Sequence, residues 1–412
     1  MLLPDLGSDG LPVTLAMGAA DAAYHRATGG RPLPAGFLFD FTGRAPSLDA
    51  VRARVAERAH RIPVLRYGIV RDHKVFRRAD RIAVERHVHE ARLPAGDDGT
   101  GAGRLMVAQP LTGGDRPPWD VWLIHGPDGR YHLCYRNDHT LQDGVGAAHT
   151  ARALLDDHPV GGPAPHRPAR PTLRGLTGAL GDVTASLRPT AKPAFDGAVS
   201  GRLAVCHAVT PLARLRAIGR AYGGTVNDVF LASYAHAVHT WHRKATGTVH
   251  PPLPVAVPMS LRGPGKECAP GNHMVVARVL LPCDEPTPQR GIARVMAHTA
   301  RLRGSRQRDA FRLLLAAGPR ELGARIGTRM VNGAAVAGPV SSVDFGDPLL
   351  HQGTASTRAV VFSGLASGIR CLITLTSQQG TSCLTVVHDE NLATADQLPD
   401  LWLAALLELE RG

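Results

Sequence analysis

The densest polar run in the chain is Asn137-Asp-His-Thr-Leu-Gln-Asp-Gly-Val-Gly146. It follows a stretch at 131–136 that reads as a strand and precedes a helical run at 145–155, whose Val145, Ala148, Ala151 and Leu155 form one apolar face. His139 therefore falls on a strand-to-helix loop, a place where a side chain is presented to a cleft. A neutral imidazole with a pKa near ~6.5 accepts a proton at neutral pH, which makes His139 the candidate general base. Asp143 comes four residues later, beside Gly144, a residue that permits a tight turn. Spacing alone leaves two readings open. One is a working His/Asp pair; the other is a loop histidine followed by a carboxylate that caps the next helix.

Other chemistries find less support. No serine lies in a GxSxG elbow. His236, His239 and His242 recur every three residues in a helical stretch, but no Asp or Glu joins them and HExxH is absent, so no metal is expected. The six cysteines, at 134, 206, 268, 283, 371 and 383, form no CxxC pair and read as reduced thiols.

The elements that must position the loop alternate between helix and strand. Ser47 is an N-cap, with Leu48, Val51 and Val55 striping the helix after it. Strands are predicted at 36–41, 119–125 and 131–136, the last two joined by a turn at Pro127-Asp-Gly129. Further on, Pro211 opens a helix striped by Leu212, Leu215, Ile218 and Tyr222, which Gly223-Gly224 ends. A helix at 227–242 follows, then strands at 254–260 and 273–281. A hairpin is predicted from 370–376 and 382–388 through Gln379-Gly380, and Thr394 is placed as the cap of a last helix carrying Leu398, Leu401, Trp402, Leu406 and Leu409. The fold expected is mixed α/β with two similar halves, separated by a Pro-rich stretch at 159–171.

Composition agrees. The chain has 412 residues, 44% of them hydrophobic, more than one core of ~250–300 residues accommodates, so two lobes are expected. No 18-residue apolar run occurs, which argues against a transmembrane helix, and MLLPDLGSDGLP at the N-terminus does not read as a signal peptide, so a cytoplasmic location is expected, with peripheral membrane contact left open. The net charge of +12 comes almost wholly from arginine, lysine occurring only at 74, 192, 244 and 266. The arginines are scattered rather than striped, which argues against a nucleic-acid partner and suits an anionic small molecule or an acidic protein.

Several blocks, in order, resemble the bacterial wax ester synthase/diacylglycerol acyltransferase family. That family lies in the CoA-dependent acyltransferase superfamily, with chloramphenicol acetyltransferase and the condensation domains of peptide synthetases. The run at 137–146 resembles the superfamily's HHxxxDG motif. Met17-Gly-Ala-Ala-Asp-Ala-Ala-Tyr24 is similar to "LDAAF", and Arg61-Ile-Pro-Val-Leu-Arg66 to "P-x-L-R". Pro110-Leu111 with Asp115-Arg-Pro-Pro-Trp-Asp120 is similar to "PLDRSRPLWE". Thr225-Val-Asn-Asp-Val229 matches "TVNDV", and Val257-Pro-Met-Ser-Leu-Arg262 with Gly271-Asn272 resembles "VPVSLR…GN". Beyond residue 272 the likeness rests on Gly338-Pro339.

The resemblance implies an α/β (α+β two-layer) fold of two chloramphenicol acetyltransferase-like lobes with an active-site tunnel between them. Residues 1–158 would form the N-terminal lobe, 159–200 a linker or crossover, and 201–412 the C-terminal lobe. It implies an O-acyltransferase that moves an acyl group from a CoA or carrier-protein thioester to a hydroxyl, for lipid or specialised natural-product esters. The alternative is a stand-alone condensation enzyme joining carrier-bound substrates. No bound cofactor is implied, the thioester being a co-substrate. His139 would be the base and Asp143 would hold the loop by pairing with an arginine, Arg262 being the candidate. Asn227, Asn272, Ser341 and Ser342 are the substrate-binding or oxyanion candidates. Asn227 is equally well placed to cap the helix it begins. One departure stands out: Asp138 replaces the motif's first histidine. Neighbours in an extended segment point to opposite sides, so Asp138 is expected to face away from the substrate and to leave the titration of His139 in place.

Overall fold

The computed structural model describes residues 10–97, 99–111 and 116–412. Residues 1–9, on which the leader reading mostly rests, and Asp115 of the Pro110–Asp120 block lie outside the described residues.

The first sheet has five strands, in the order Arg358–Ser363, Pro34–Thr42, Arg130–Asp138, Trp119–His125 and Val88–Arg92. Only the last pair is parallel. The hairpin turn lies where the sequence places it: Asp128 and Gly129 take positive φ (58° and 67°), and Arg130 N–H donates to the Pro127 carbonyl. Phe37, Phe39 and Phe41 alternate onto one face of the sheet, where the helices Leu48–Ala59 and Gly144–Leu155 cover them. Leu38, Cys134, Val360 and Phe362 lie on the opposite face and pack on Val205, Leu372, Cys383 and Val387 of a second sheet.

The second sheet runs Val340–Gly346, Cys371–Gln378, Thr381–Asp389, Leu203–Pro211, with its first pair parallel. The helices Leu212–Tyr222, Val226–Thr246 and Leu398–Arg411 cover it, and Phe230, Trp241 and Trp402 are buried in its core. A further antiparallel pair, Leu253–Ser260 and Met274–Leu281, is tied to this sheet through Ala256 N–H and the Gly338 carbonyl. Gly338 has to be glycine: a Cβ there would lie 1.9 Å from the Cys371 carbonyl oxygen. The result is two mixed sheets, each with its own helical layer.

Two local expectations need correction. Thr394 starts a short 3-10 turn, Ala395–Gln397, and the last helix begins only at Leu398. The Thr394 hydroxyl accepts instead from the Trp241 indole N–H at 3.0 Å, which fixes the turn to the core. The strand Arg358–Ser363, for which no element was predicted, leaves the C-terminal half and forms the edge of the first sheet beside Pro34–Thr42.

Among the described residues no helix is long and apolar enough to cross a membrane. The six cysteines are unpaired.

Candidate active site

The motif strand Arg130–Asp138 is anchored by a buried ion pair. Arg136 donates to both carboxylate oxygens of Asp120 at 2.8 and 2.6 Å and to the carbonyls of Met106 and Gln109. The strand ends at Asp138, and His139 N–H donates to the Leu33 carbonyl at 2.8 Å. His139 is thereby set at the edge of a cavity of about 190 Å³ between the two halves. Its walls include Tyr24, Leu33 and Phe37 from one side and Ser341, Val361 and Leu372 from the other.

His139 is half-buried, and its Nδ1 lies 3.2 Å from Oδ1 of Asn272. The Tyr24 ring stacks on the imidazole, centroids 4.0 Å apart and planes at 20°. Burial lowers the imidazole's pKa, and the charges of Asp143 and Asp138 and the Asn272 bond offset that only in part. Burial thus favours the neutral form of the side chain.

Asp143 follows the capping reading and pairs with an arginine, not with the His139 ring. It is the N-cap of Gly144–Leu155, with Oδ1 accepting from Gly146 N–H at 2.8 Å. Its Oδ2 accepts from Arg262 Nη2 at 2.6 Å and from His273 N–H at 2.8 Å. Burial alone would raise this carboxyl's pKa; the Arg262 guanidinium and these bonds outweigh it and hold the pKa below the usual range. Arg262 in turn donates to the carbonyls of Lys266, Ala269 and Gly271. Gly144 is the first residue of the helix, its φ is not positive, and a Cβ there would meet open space. It borders the cavity, and the tight turn that a glycine permits is not made there. Val145, expected to pack inward, also lines the cavity.

Asp138 is fully buried and turned from the cavity. It pairs with Arg71 and accepts from Thr140 N–H at 2.9 Å. Its charge is among the influences that offset the effect of burial on His139.

The remaining candidates separate. Ser341 and Ser342 line the cavity from the strand Val340–Gly346. The Ser342 hydroxyl donates to Asn227 Oδ1 at 3.1 Å, whereas the Ser341 hydroxyl has no protein partner among the described residues. Asn227 is not the cap of its helix: Thr225 is, in a reciprocal box with Asp228. Asn272 is outside the cavity wall and its amide nitrogen is surrounded by protein acceptors. His236, His239 and His242 take separate partners: Glu408, the Cys283 carbonyl and Thr248.

Sequence reasoning had no place for Asp21, Tyr24 and Arg71, which support the loop from the first half. The block at 17–24 was the available signal.

Known proteins share parts of this sequence and of this architecture. The family model described as the wax ester synthase/diacylglycerol acyltransferase catalytic domain matches residues 35–180. A Mycobacterium tuberculosis protein named provisionally as a diacylglycerol O-acyltransferase is 26% identical over 291 residues, 59% of this chain and 61% of that protein. The fold is similar to that of the wax ester synthase/diacylglycerol acyltransferase of Marinobacter aquaeolei VT8. The TM-score is 0.67 at 19% identity, covering 96% of this chain and 99% of that one. The segment that holds His139 and Asp143 is thus similar to the catalytic domain of the wax ester synthase/diacylglycerol acyltransferase family. The starter condensation domain of rhizomide synthetase is also similar, with a TM-score of 0.63 at 14% identity over 97% of this chain and 95% of that one. The chain thus has a condensation-domain-like fold, with no closed barrel among the described residues. It spans about three fifths of the length of the curated relatives it matches.

Proposed function

We propose that the chain is an O-acyltransferase that moves an acyl group from a CoA or carrier-protein thioester to a hydroxyl. The observation that carries this reading is the unengaged imidazole edge: Nδ1 is held by Asn272, and Nε2 is left without a protein partner among the described residues, in the wall of the cavity. Nε2 takes the acceptor's hydroxyl proton as the oxygen attacks the thioester carbonyl. The tetrahedral intermediate then collapses, the C–S bond breaks, and the same proton passes to the departing thiolate. No acyl-enzyme and no bound cofactor enter this sequence. Ser341, with its free hydroxyl, is the oxyanion donor in this reading.

A second cavity, of about 260 Å³, supports an apolar substrate portion. Val183, Phe311, Leu314, Leu315, Ile326 and Met330 line it, and Tyr24, Met274 and Val331 are walls common to both cavities. An alkyl chain would lie there with its reactive end at His139, as apolar surface favours. In this reading residues 1–158 and 201–412 are the two lobes, 159–200 the crossover, and the strand Arg358–Ser363 a tie from the second lobe into the first sheet.

The test is mass spectrometry of products from the purified full chain, offered medium- and long-chain acyl-CoA or acyl-carrier thioesters with alcohols and amines. Ester and free thiol in equal amounts are expected. Amide formation from carrier-bound substrates alone would replace this reading with the condensation one.

A further inference from the structure

The support of His139 reaches into the N-terminal helix Ala19–Ala27. Asp21 is almost wholly buried, at 3% exposure. One of its oxygens accepts from Gly18 N–H at 2.7 Å, a local helix cap. The other accepts from both the backbone N–H and the side-chain Nδ2 of Asn272, at 2.6 and 2.9 Å. A helix cap needs no partner 251 residues away, so the second oxygen serves another purpose.

That purpose follows from the surroundings of the Asn272 amide. Its Nδ2 also faces the carbonyls of His139 and Thr140, at 2.8 and 3.2 Å. A reversed amide would set an oxygen against three acceptors, so Oδ1 must face His139 Nδ1. An oxygen there can only accept, and the imidazole must then carry its neutral-state proton on Nδ1. Gly271 allows this approach: its φ is +93°, and a Cβ would lie 3.3 Å from Asp21 Oδ2. Tyr24, one helical turn beyond Asp21, holds the ring face.

We propose that Asp21 and Asn272 are positioning residues for the reaction: Asp21 fixes the Asn272 amide, whose oxygen holds His139 in the Nδ1–H tautomer with Nε2 as the free base. This rests on the reading of His139 as the base of acyl transfer. It removes Asn272 from the oxyanion role, since no donor is left over. The charged groups around the imidazole are Asp138 and Asp143 on its own loop, with Arg71 and Arg262 behind them. His273 follows Asn272, and Asp21 is reached only through the amide.

The test is a nitrogen-15 NMR titration of the His139 imidazole in the full chain, assigned by the signal missing from His139→Ala. Wild type is expected in the Nδ1–H form. Asn272→Ala should weaken that preference and titrate at lower pH, because one of the bonds that favour the imidazolium is gone while the backbone bond of His139 remains. Asp21→Asn should loosen the tautomer in the same direction. Both variants should lower kcat by roughly 10–10²-fold with KM unchanged. Asp21→Asn keeps the shape of the side chain and leaves the Asn272 amide in place, which keeps the proposal testable if the Asn272→Ala variant fails to fold. An Nε2–H imidazole in wild type, or a tautomer and titration unchanged in all variants, would overturn the inference. A wild type that transfers no acyl group, yet shows these NMR shifts, would defeat only the acyltransferase reading.

Discussion

The carboxylate of Asp143 and the guanidinium of Arg262 meet at 2.6 Å although 119 residues separate them. Both side chains are buried, at 3% and 1% exposure. The pair joins the start of the motif helix to the end of the strand Leu253–Ser260, and so closes one half of the molecule on the other at the cavity. Its place beside His139, without contact to the ring, makes it a fastening of the loop.

Removing the base tests the chemistry directly. His139→Ala should lower kcat by about 10²–10⁴-fold with little change in Tm. Turnover within tenfold of wild type would contradict the mechanism. Because burial lowers the pKa of His139, the acidic limb of kcat/KM in the wild type should lie below 6.5. The same shift acts on stability. The unfolded chain takes up the proton first, so this group's contribution is full above pH 6.5 and is lost as pH falls toward the folded pKa.

Breaking the fastening should cost more stability than breaking the base. Asp143→Ala leaves Arg262 buried and unpaired, at a cost of about 3–5 kcal/mol, and should lower both Tm and kcat. Asp143→Asn keeps the cap and some of the bonds and should do less harm. The pKa of Asp143 is depressed, so the stability it contributes is present above ~3.9 and is lost as pH falls through its lower folded value. Thermal melts of the three proteins between pH 3 and 7 provide the check.

Asp138 behaves differently because it faces Arg71. Asp138→Ala should destabilise the fold by releasing that ion pair and the Thr140 N–H. It should also move the acidic limb of kcat/KM to lower pH, since a negative charge that favours the imidazolium has gone. An unmoved limb in a folded variant would show that Arg71 neutralises the carboxylate completely.

Gly146 tests the packing behind the ion pair. A Cβ there would lie 2.6 Å from Arg262 Nη2 and 2.6 Å from Gln142 Cγ. Gly146→Ala should therefore lower stability by roughly 1–3 kcal/mol through overpacking and reduce kcat by displacing Arg262. Unchanged Tm and kinetics would mean that the guanidinium has room to move.

The sequence by itself determined what depends on near neighbours. The helix Leu212–Tyr222 was legible because Pro211 and Gly223 set its ends, and Gly223 takes the left-handed conformation (φ 72°) that glycine tolerates. The strand Trp119–His125 was legible from its apolar run, and the motif run marked His139 and Asp143 by residue type and order. Local rules misplaced Thr394 because its hydroxyl has a better partner in Trp241, 153 residues away. The edge strand Arg358–Ser363 lacked a signal of its own because its pairing is decided by Pro34–Thr42. The same holds at the site. That Asp143 both caps a helix and pairs with Arg262, that Tyr24 stacks on His139, and that Asn272 turns its oxygen to the imidazole are consequences of through-space contacts between segments distant in the chain. Only the tertiary structure decides them, because hydrogen-bond direction and burial depend on which acceptors and donors surround a group once the chain is folded.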